Sequence, residues 1–100
     1  MRYEKFRRRL VEAVLSTPGE TPAELRRSAL ERATAPGSLG PYVSNVARHA
    51  YKITDTDVAQ LRHGGHSDDT LFEITVAAAV GAALHRLDRG MAALRGEEPD

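Results

Sequence analysis

Four histidines hold most of the capacity of this chain for proton transfer or metal binding. His49 and Tyr51 lie close together in the sequence, and the carboxylate of Asp57 follows within a few residues. An imidazole that shares a small pocket with a phenol or a carboxylate can act as a general base. His49, Tyr51 and Asp57 are therefore the candidate catalytic residues. A histidine on the apolar side of a helix is also typical of a protein core or a subunit interface, which is the alternative for His49.

A second pair of histidines, His63 and His66, lies on either side of Gly64-Gly65, and Asp69 follows. Imidazole and carboxylate ligands suit zinc or iron, so these side chains form a candidate metal site. Two glycines give such a site little preorganisation, however, and histidines in turns are commonly solvated. The sequence therefore names His63, His66 and Asp69 as candidate ligands, and it predicts no cofactor.

Composition and motifs exclude several kinds of chemistry. The chain has no cysteine, which rules out disulfides, thiol nucleophiles and thiolate metal sites. Its 14 basic and 14 acidic residues balance, so there is no overall attraction to nucleic acid or to an anionic membrane. The sequence contains no glycine-rich phosphate loop and no HExxH helix. A DNA-reading helix after the Gly64-Gly65 turn is excluded because it would present Asp68, Asp69 and Glu73 to the phosphates.

The stretch from Ser67 to Leu94 is the longest helical pattern, and it forms the centre of the predicted fold. Ser67 can cap this helix, and two aspartates follow at the positive end of the helix dipole. Residues 77–83 carry no charge on any face, which is typical of a helix that is buried all round. The apolar run is too short for a membrane span of about 20 residues, and charged residues bracket it closely.

A chain of 100 residues can hardly surround one helix completely, which predicts that a second subunit covers part of it. Gly81 costs about 1 kcal/mol relative to alanine inside a helix, and the close approach of another helix would compensate for it. We therefore predict a homo-oligomer whose interface contains Val76, Val80, Gly81 and Leu84.

Shorter helical patterns precede the central helix, and no strand pattern occurs. Helices are predicted for residues 1–16, from Thr21 to about residue 33, from Pro41 to about residue 51, and from Thr54 to Gly64. Thr21 and Thr54 are the predicted N-caps, each with an acidic residue that completes a capping box, which is Asp57 in the second case. The fold class is all-α, with about five helices in a single domain of residues 1–100. A helical hairpin, residues 1–35, precedes a core, residues 41–95.

Residues 55–73, reading DTDVAQLRHGGHSDDTLFE, and the alanine-rich helix after them resemble the AhpD-like (carboxymuconolactone decarboxylase) family. The resemblance covers about residues 41–94, and it implies a helical bundle with a long buried C-terminal helix and a habit of forming oligomers. Active peroxidases of this family carry Cys-x-x-Cys-x-x-x-His before the turn, where this chain has Ala50, Ile53 and Asp57. Because a thiolate is the nucleophile in that reaction, the resemblance implies a scaffold without peroxidase activity.

Three functions stay open at this point. The first is an oligomeric or small-ligand-binding module without catalysis. The second is a divergent enzyme of the decarboxylase type, in which His49 transfers a proton on a small molecule. The third is a protein–protein adaptor. The chain does not open with a signal-peptide pattern, which predicts a cytoplasmic protein whose partners include neither DNA nor a membrane.

Overall fold

Helices account for nearly all the regular structure of the protein, for which a computed structural model describes residues 2–96. Five α-helices are present and the described residues form no strand, so the all-α prediction is confirmed. Residue 1 and residues 97–100, the ends of the predicted domain, lie outside the described range. In chain order the elements are α1 (Arg2–Ser16), α2 (Ala23–Arg32), α3 (Leu39–Arg48), a short 3₁₀ helix (Ala50–Lys52), α4 (Asp55–His63) and α5 (Asp68–Leu94).

The central helix α5 begins where the sequence predicts it. The Ser67 side chain accepts a hydrogen bond from the Thr70 backbone N–H at 3.1 Å, which satisfies one free donor of the first turn. Only one side of α5 is buried within the chain, where it packs against α2 and α3. Ala79 and Ala83 on the other side are exposed, so burial all round is not achieved by the described chain. The buried residues of α5 are Leu71, Ile74, Ala77, Ala78, Gly81 and Leu84.

The core joins both halves of the chain. Ala29 of α2 packs in one cluster with Val43 of α3 and Ile74 of α5, and all three are almost completely buried. A second cluster, formed by Leu39, Leu61 and Leu71, brings α3 and α4 onto the first turns of α5. Within the predicted hairpin of residues 1–35, α2 contributes directly to the core that α3 and α5 build.

Gly81 marks the point where α2 crosses α5. A Cβ atom at Gly81 would overlap the carbonyl group of Leu30 and would lie 2.8 Å from its carbon atom. The close helix approach predicted for this glycine is thus supplied by α2 of the same chain. Leu84, another residue of the predicted subunit interface, is 1 % exposed in the single chain. The burial of Gly81 and Leu84 therefore needs no second subunit, whereas Val76 and Val80 are only half-buried.

The helix α1 is held at its N-terminal end by polar contacts with α5. Arg7 and Asp88 form a bidentate pair, in which Nε donates to Oδ1 and Nη2 donates to Oδ2, each at 2.9 Å. The Tyr3 hydroxyl donates to the same carboxylate at 2.6 Å. The hydrogen bonds from Arg7 hold the pKa of Asp88 below its usual value. No residue of α1 is buried, so these polar contacts are a large part of what attaches it.

The other end of α1 is fixed by a buried arginine. Arg26 of α2 donates from Nη1 to the carbonyl oxygens of Val14 at 2.8 Å and Thr17 at 2.7 Å, which lack partners within α1. On the other side of this loop, Glu73 of α5 accepts a hydrogen bond from the Thr21 backbone N–H at 2.7 Å. Hydrogen bonding from Thr21 lowers the pKa of Glu73. The loop between α1 and α2 is thereby tied to α5.

The N-terminus of α2 departs from the prediction. The helix begins after Pro22, which forms no side-chain cap, rather than after a capping Thr21. The reason is tertiary, because Thr21 is buried against α5 and its N–H is used by Glu73. The loop contact has replaced the local capping box that the spacing of Thr21 and Glu24 favours.

Two further helix starts can be compared with the sequence. The third helix begins at Leu39, two positions before Pro41, which leaves the proline in the first turn, where no N–H partner is required. The capping box of α4 is confirmed, since the Thr54 hydroxyl accepts from the Asp57 N–H at 3.2 Å and the Asp57 carboxylate accepts from the Thr54 N–H at 2.9 Å. Local signals thus placed α4 correctly.

By length and composition, α5 is the single helix among residues 2–96 that meets the usual criteria for a membrane span. Only 28 % of its most apolar window is buried inside the chain. This is weak evidence for a membrane, because the core helix of a soluble protein satisfies the same criteria. The expectation of no membrane contact stays a prediction.

Candidate anion-binding cleft

The candidate catalytic residues do not meet in one pocket. His49 lies just beyond the end of α3, exposed, and its ring meets that of Tyr51 edge to face with 6.0 Å between their centroids. Asp57 lines a small cavity of about 150 Å³ that neither His49 nor Tyr51 lines, and its carboxylate is occupied by the capping box. His49 is therefore not on the apolar side of α3, because the helix ends one residue before it. As placed here, the three side chains form no shared acid–base site.

The candidate metal ligands do not come together as a group within residues 2–96. The His66 ring lies 3.2 Å from the Ser38 hydroxyl, through its Nε2 atom. Among residues 2–96, no group of three histidine, aspartate or glutamate side chains is arranged to hold a metal ion. His63, His66 and Asp69 thus remain near one another in sequence without forming a site.

A cleft with a volume of about 480 Å³ lies where α2, α3 and α5 converge. Its floor exists because α2 crosses α5 at Gly81, and small side chains on either side of the crossing leave the space unfilled. The volume falls in the range of small-molecule sites, which are about 300–1,000 Å³. The floor is lined by Ala29, Leu30, Ala33, Ala47, Ala78, Gly81 and Ala82.

Three arginines from three different helices line the rim of this cleft. Arg32 lies in the last turn of α2, Arg48 in the last turn of α3, and Arg86 in the second half of α5. Basic side chains suit the ends of α2 and α3 because they interact favourably with the helix dipoles. Arg86 has no such role, since it lies well inside α5. Its exposed side chain lies at the cleft beside Arg32 and Arg48.

These arginines keep most of their hydrogen-bonding capacity. Arg48 donates from Nη1 to Ser44 at 2.9 Å, and Arg32 makes one long contact of 3.5 Å with Ser28. Arg86 forms no hydrogen bond or ion pair with any residue in the range 2–96. Each guanidinium has five N–H donors, so all three can still bind a carboxylate or phosphate oxygen.

No family model, curated protein or solved structure matches this chain. The resemblance to the AhpD-like family accordingly stays a prediction. The geometry and charge of the cleft are therefore the available guide to its function.

The ionised side chains that line the cleft are net positive, with three arginines and one glutamate. The single carboxylate among its lining residues is Glu31, which already pairs with Arg27 at 3.3 Å across one helical turn. His85 adds an imidazole at the same rim. A cleft that has one sign of charge at its rim and apolar walls concentrates the field and attracts ligands of the opposite sign. An anion with an apolar body is the kind of ligand that these lining residues suit.

Sequence reasoning missed this site because its charged residues lie far apart in the chain and look like solvated helix faces. Arg32, Arg48 and Arg86 belong to three separate helices, and only the tertiary crossing brings them together. The one available signal was Gly81 within an alanine-rich run, which does indicate close helix packing. It did not reveal which helix packs there or which side chains come with it.

Proposed function

We propose that this protein is a small helical module that binds a small organic acid in the cleft between α2, α3 and α5. The observation that carries the proposal is the set of guanidinium groups from Arg32, Arg48 and Arg86 around one apolar floor. The carboxylate of the ligand is bound at the rim, where bidentate hydrogen bonds from arginine are strongest. The hydrocarbon part of the ligand covers the alanine floor.

The apolar floor favours an organic acid over inorganic phosphate. Phosphate would satisfy the arginines but would leave the small apolar side chains around Gly81 unused. A short alkyl chain or a single ring removes that surface from water, which contributes about 25 cal/mol for each Å² buried. Charge and apolar contact together select a carboxylate of modest size.

Calorimetric titration with hexanoate, at low ionic strength, tests this proposal directly. Hexanamide has nearly the same shape without the charge, and phosphate has the charge without the chain. We expect hexanoate to bind at least tenfold more tightly than either. Loss of a hydrogen bond to a charged group costs about 1.5–3 kcal/mol, so Arg86→Gln should weaken hexanoate binding about tenfold or more.

The matched control is Arg9→Gln, which removes the same charge from exposed α1, outside the cleft. It should leave hexanoate binding nearly unchanged and should show that net charge alone is not responsible. Equal affinity for hexanoate and hexanamide, or equal losses in Arg86→Gln and Arg9→Gln, would refute the anion site.

The AhpD-like resemblance supports a binding module of this kind, because it implies the bundle scaffold and, without the cysteines, no peroxidase chemistry. A cytoplasmic location is part of the same proposal. The alternative of an enzyme that uses His49 has less support, since His49 does not line the cleft.

A further inference from the structure

An uninterrupted apolar stripe runs along the side of α5 that faces away from the core. Several of its members are 11 residues apart, such as Phe72 and Ala83, or Val76 and Leu87. An 11-residue repeat corresponds to about 3.67 residues per turn, close to the natural period, so the stripe follows one face of a nearly straight helix. The stripe consists of Phe72, Val76, Ala79, Ala83, Leu87, Gly90 and Leu94.

This stripe is exposed over almost its whole length. Phe72 is 69 % exposed, Leu87 45 % and Leu94 81 %, and none of the seven positions carries a charge. The 27 residues of α5 extend over about 40 Å, so the apolar surface is long as well as continuous. Contiguous apolar surface of this kind marks an interaction site in a folded protein.

We infer that residues 72–90 of the stripe bind the same residues of a second copy, with the two α5 helices antiparallel about a two-fold axis near position 81. In this register Phe72 of one chain lies opposite Gly90 of the second copy, and Ala79 lies opposite Ala83. The large Phe72 side chain thus packs against Gly90, which has no side chain. In the single chain, a Cβ atom at Gly90 would have no neighbour within 4 Å. The central alanines allow the two helices to approach closely.

The charge distribution along α5 favours the antiparallel arrangement. Its N-terminal part is acidic, with Asp68, Asp69 and Glu73, whereas its C-terminal part carries Arg86, Asp88 and Arg89 and is net positive. An antiparallel pair places each acidic part beside the basic part of the second copy and also opposes the helix dipoles. A parallel pair would bring like charges together.

A groove beside the stripe adds to the surface that the second copy covers. It lies between α1 and α5, has a volume of about 420 Å³, and is mostly apolar. Leu10 and Ala13 of α1 line it together with Val76 and Val80, the two predicted interface residues that the single chain leaves half-buried. The anion cleft opens beside the α2 crossing, and it shares Arg86 with the residues named here for the second copy.

Light scattering after size exclusion, over a wide range of protein concentrations, provides the first test. We expect the wild type to approach twice the chain mass of 10.9 kDa. Ala83→Arg should give a monomer with unchanged helical circular dichroism, because it places a charge beside the two-fold axis. The control Tyr51→Arg introduces the same side chain at an exposed aromatic position outside the stripe, and should remain a dimer.

Cross-linking tests the orientation, and the absence of native cysteine makes it unambiguous. Oxidation of an Ala79→Cys chain mixed with a differently tagged Ala83→Cys chain should give the disulfide-linked heterodimer. Each variant alone should cross-link far less. Efficient cross-linking of Ala79→Cys with itself would overturn the antiparallel register.

Three other results would overturn the inference as a whole. The first is a wild type that remains monomeric at the highest concentrations, and the second is an Ala83→Arg variant that dimerises as well as the wild type. The third is flotation of the wild type, but not of Ala83→Arg, with phosphatidylcholine vesicles, which would assign the stripe to a membrane surface. None of these results decides whether the cleft binds hexanoate, which the titration tests separately.

Discussion

Gly81→Ala and Gly90→Ala add the same methyl group to the same helix, and the structure predicts opposite effects on stability. At Gly81 the new Cβ atom would overlap the Leu30 carbonyl group and lie 2.9 Å from the Leu30 Cα atom. These are backbone atoms, which no side-chain rotation can move away. At Gly90 the new Cβ atom would have no neighbour within 4 Å.

The expected magnitudes follow from two opposing effects. Alanine stabilises a helix interior by about 1 kcal/mol relative to glycine, and this gain applies at both positions. Overpacking a core typically costs about 1–3 kcal/mol, and a clash with backbone belongs at the upper end of that range. Gly81→Ala should therefore lower the free energy of unfolding by about 1–2 kcal/mol, whereas Gly90→Ala should raise it by about 1 kcal/mol.

Urea denaturation followed by circular dichroism measures both variants, together with their melting temperatures. In a chain of this size, 1 kcal/mol corresponds to a shift of about 4–8 °C. Both substitutions should be made on the Ala83→Arg background, so that any association through the α5 stripe does not contribute. If Gly81→Ala proves as stable as Gly90→Ala, α2 does not cross α5 closely at Gly81, and this crossing does not form the floor of the cleft.

Two further predictions concern a helix cap and acid stability. Ser67→Ala should lower the free energy of unfolding by about 1 kcal/mol in urea titrations because it removes the cap of α5. Ser38→Ala should have a smaller effect, since Ser38 makes no capping bond, and equal losses would contradict the assignment. The folded-state pKa values of Asp88 and Glu73 are lowered by hydrogen bonds from Arg7 and Thr21 respectively, so their contributions are complete above about pH 5 and are lost as the pH falls through those values. The urea concentration at the unfolding midpoint should decrease as the pH is lowered from 6 to 3, and this decrease should be smaller in Asp88→Asn. A midpoint that does not change over this range would contradict the roles given to Asp88 and Glu73.

The elements that sequence reasoning located correctly depend on local signals. Ser67 before two aspartates, and the Thr54–Asp57 spacing, fix the starts of α5 and α4 because the bonds form within one helical turn. The prediction failed at Thr21, where a long-range bond to Glu73 displaced the local cap. Capping patterns are therefore reliable only where no distant partner competes for the same N–H group.

The candidate site could not be predicted for a related reason. Single-sequence patterns identify which residues face a core, but they do not identify which helix supplies the neighbour. Gly81 was assigned to a subunit interface because its need for close packing was visible and its partner, Leu30, was not. Arg86 looked like an ordinary surface residue until the crossing placed it beside Arg32 and Arg48.

The polar attachment of α1 affects the order in which parts of the protein unfold. Since none of its residues is buried, and charged groups hold both of its ends, α1 has a low expected free energy of local unfolding. Its detachment exposes little of the main core, so it can occur as a separate step before global denaturation. Acid and salt weaken the Arg7–Asp88 pair far more than they weaken the packing around Ile74. Acid and salt should therefore detach α1 under milder conditions than those that unfold the core.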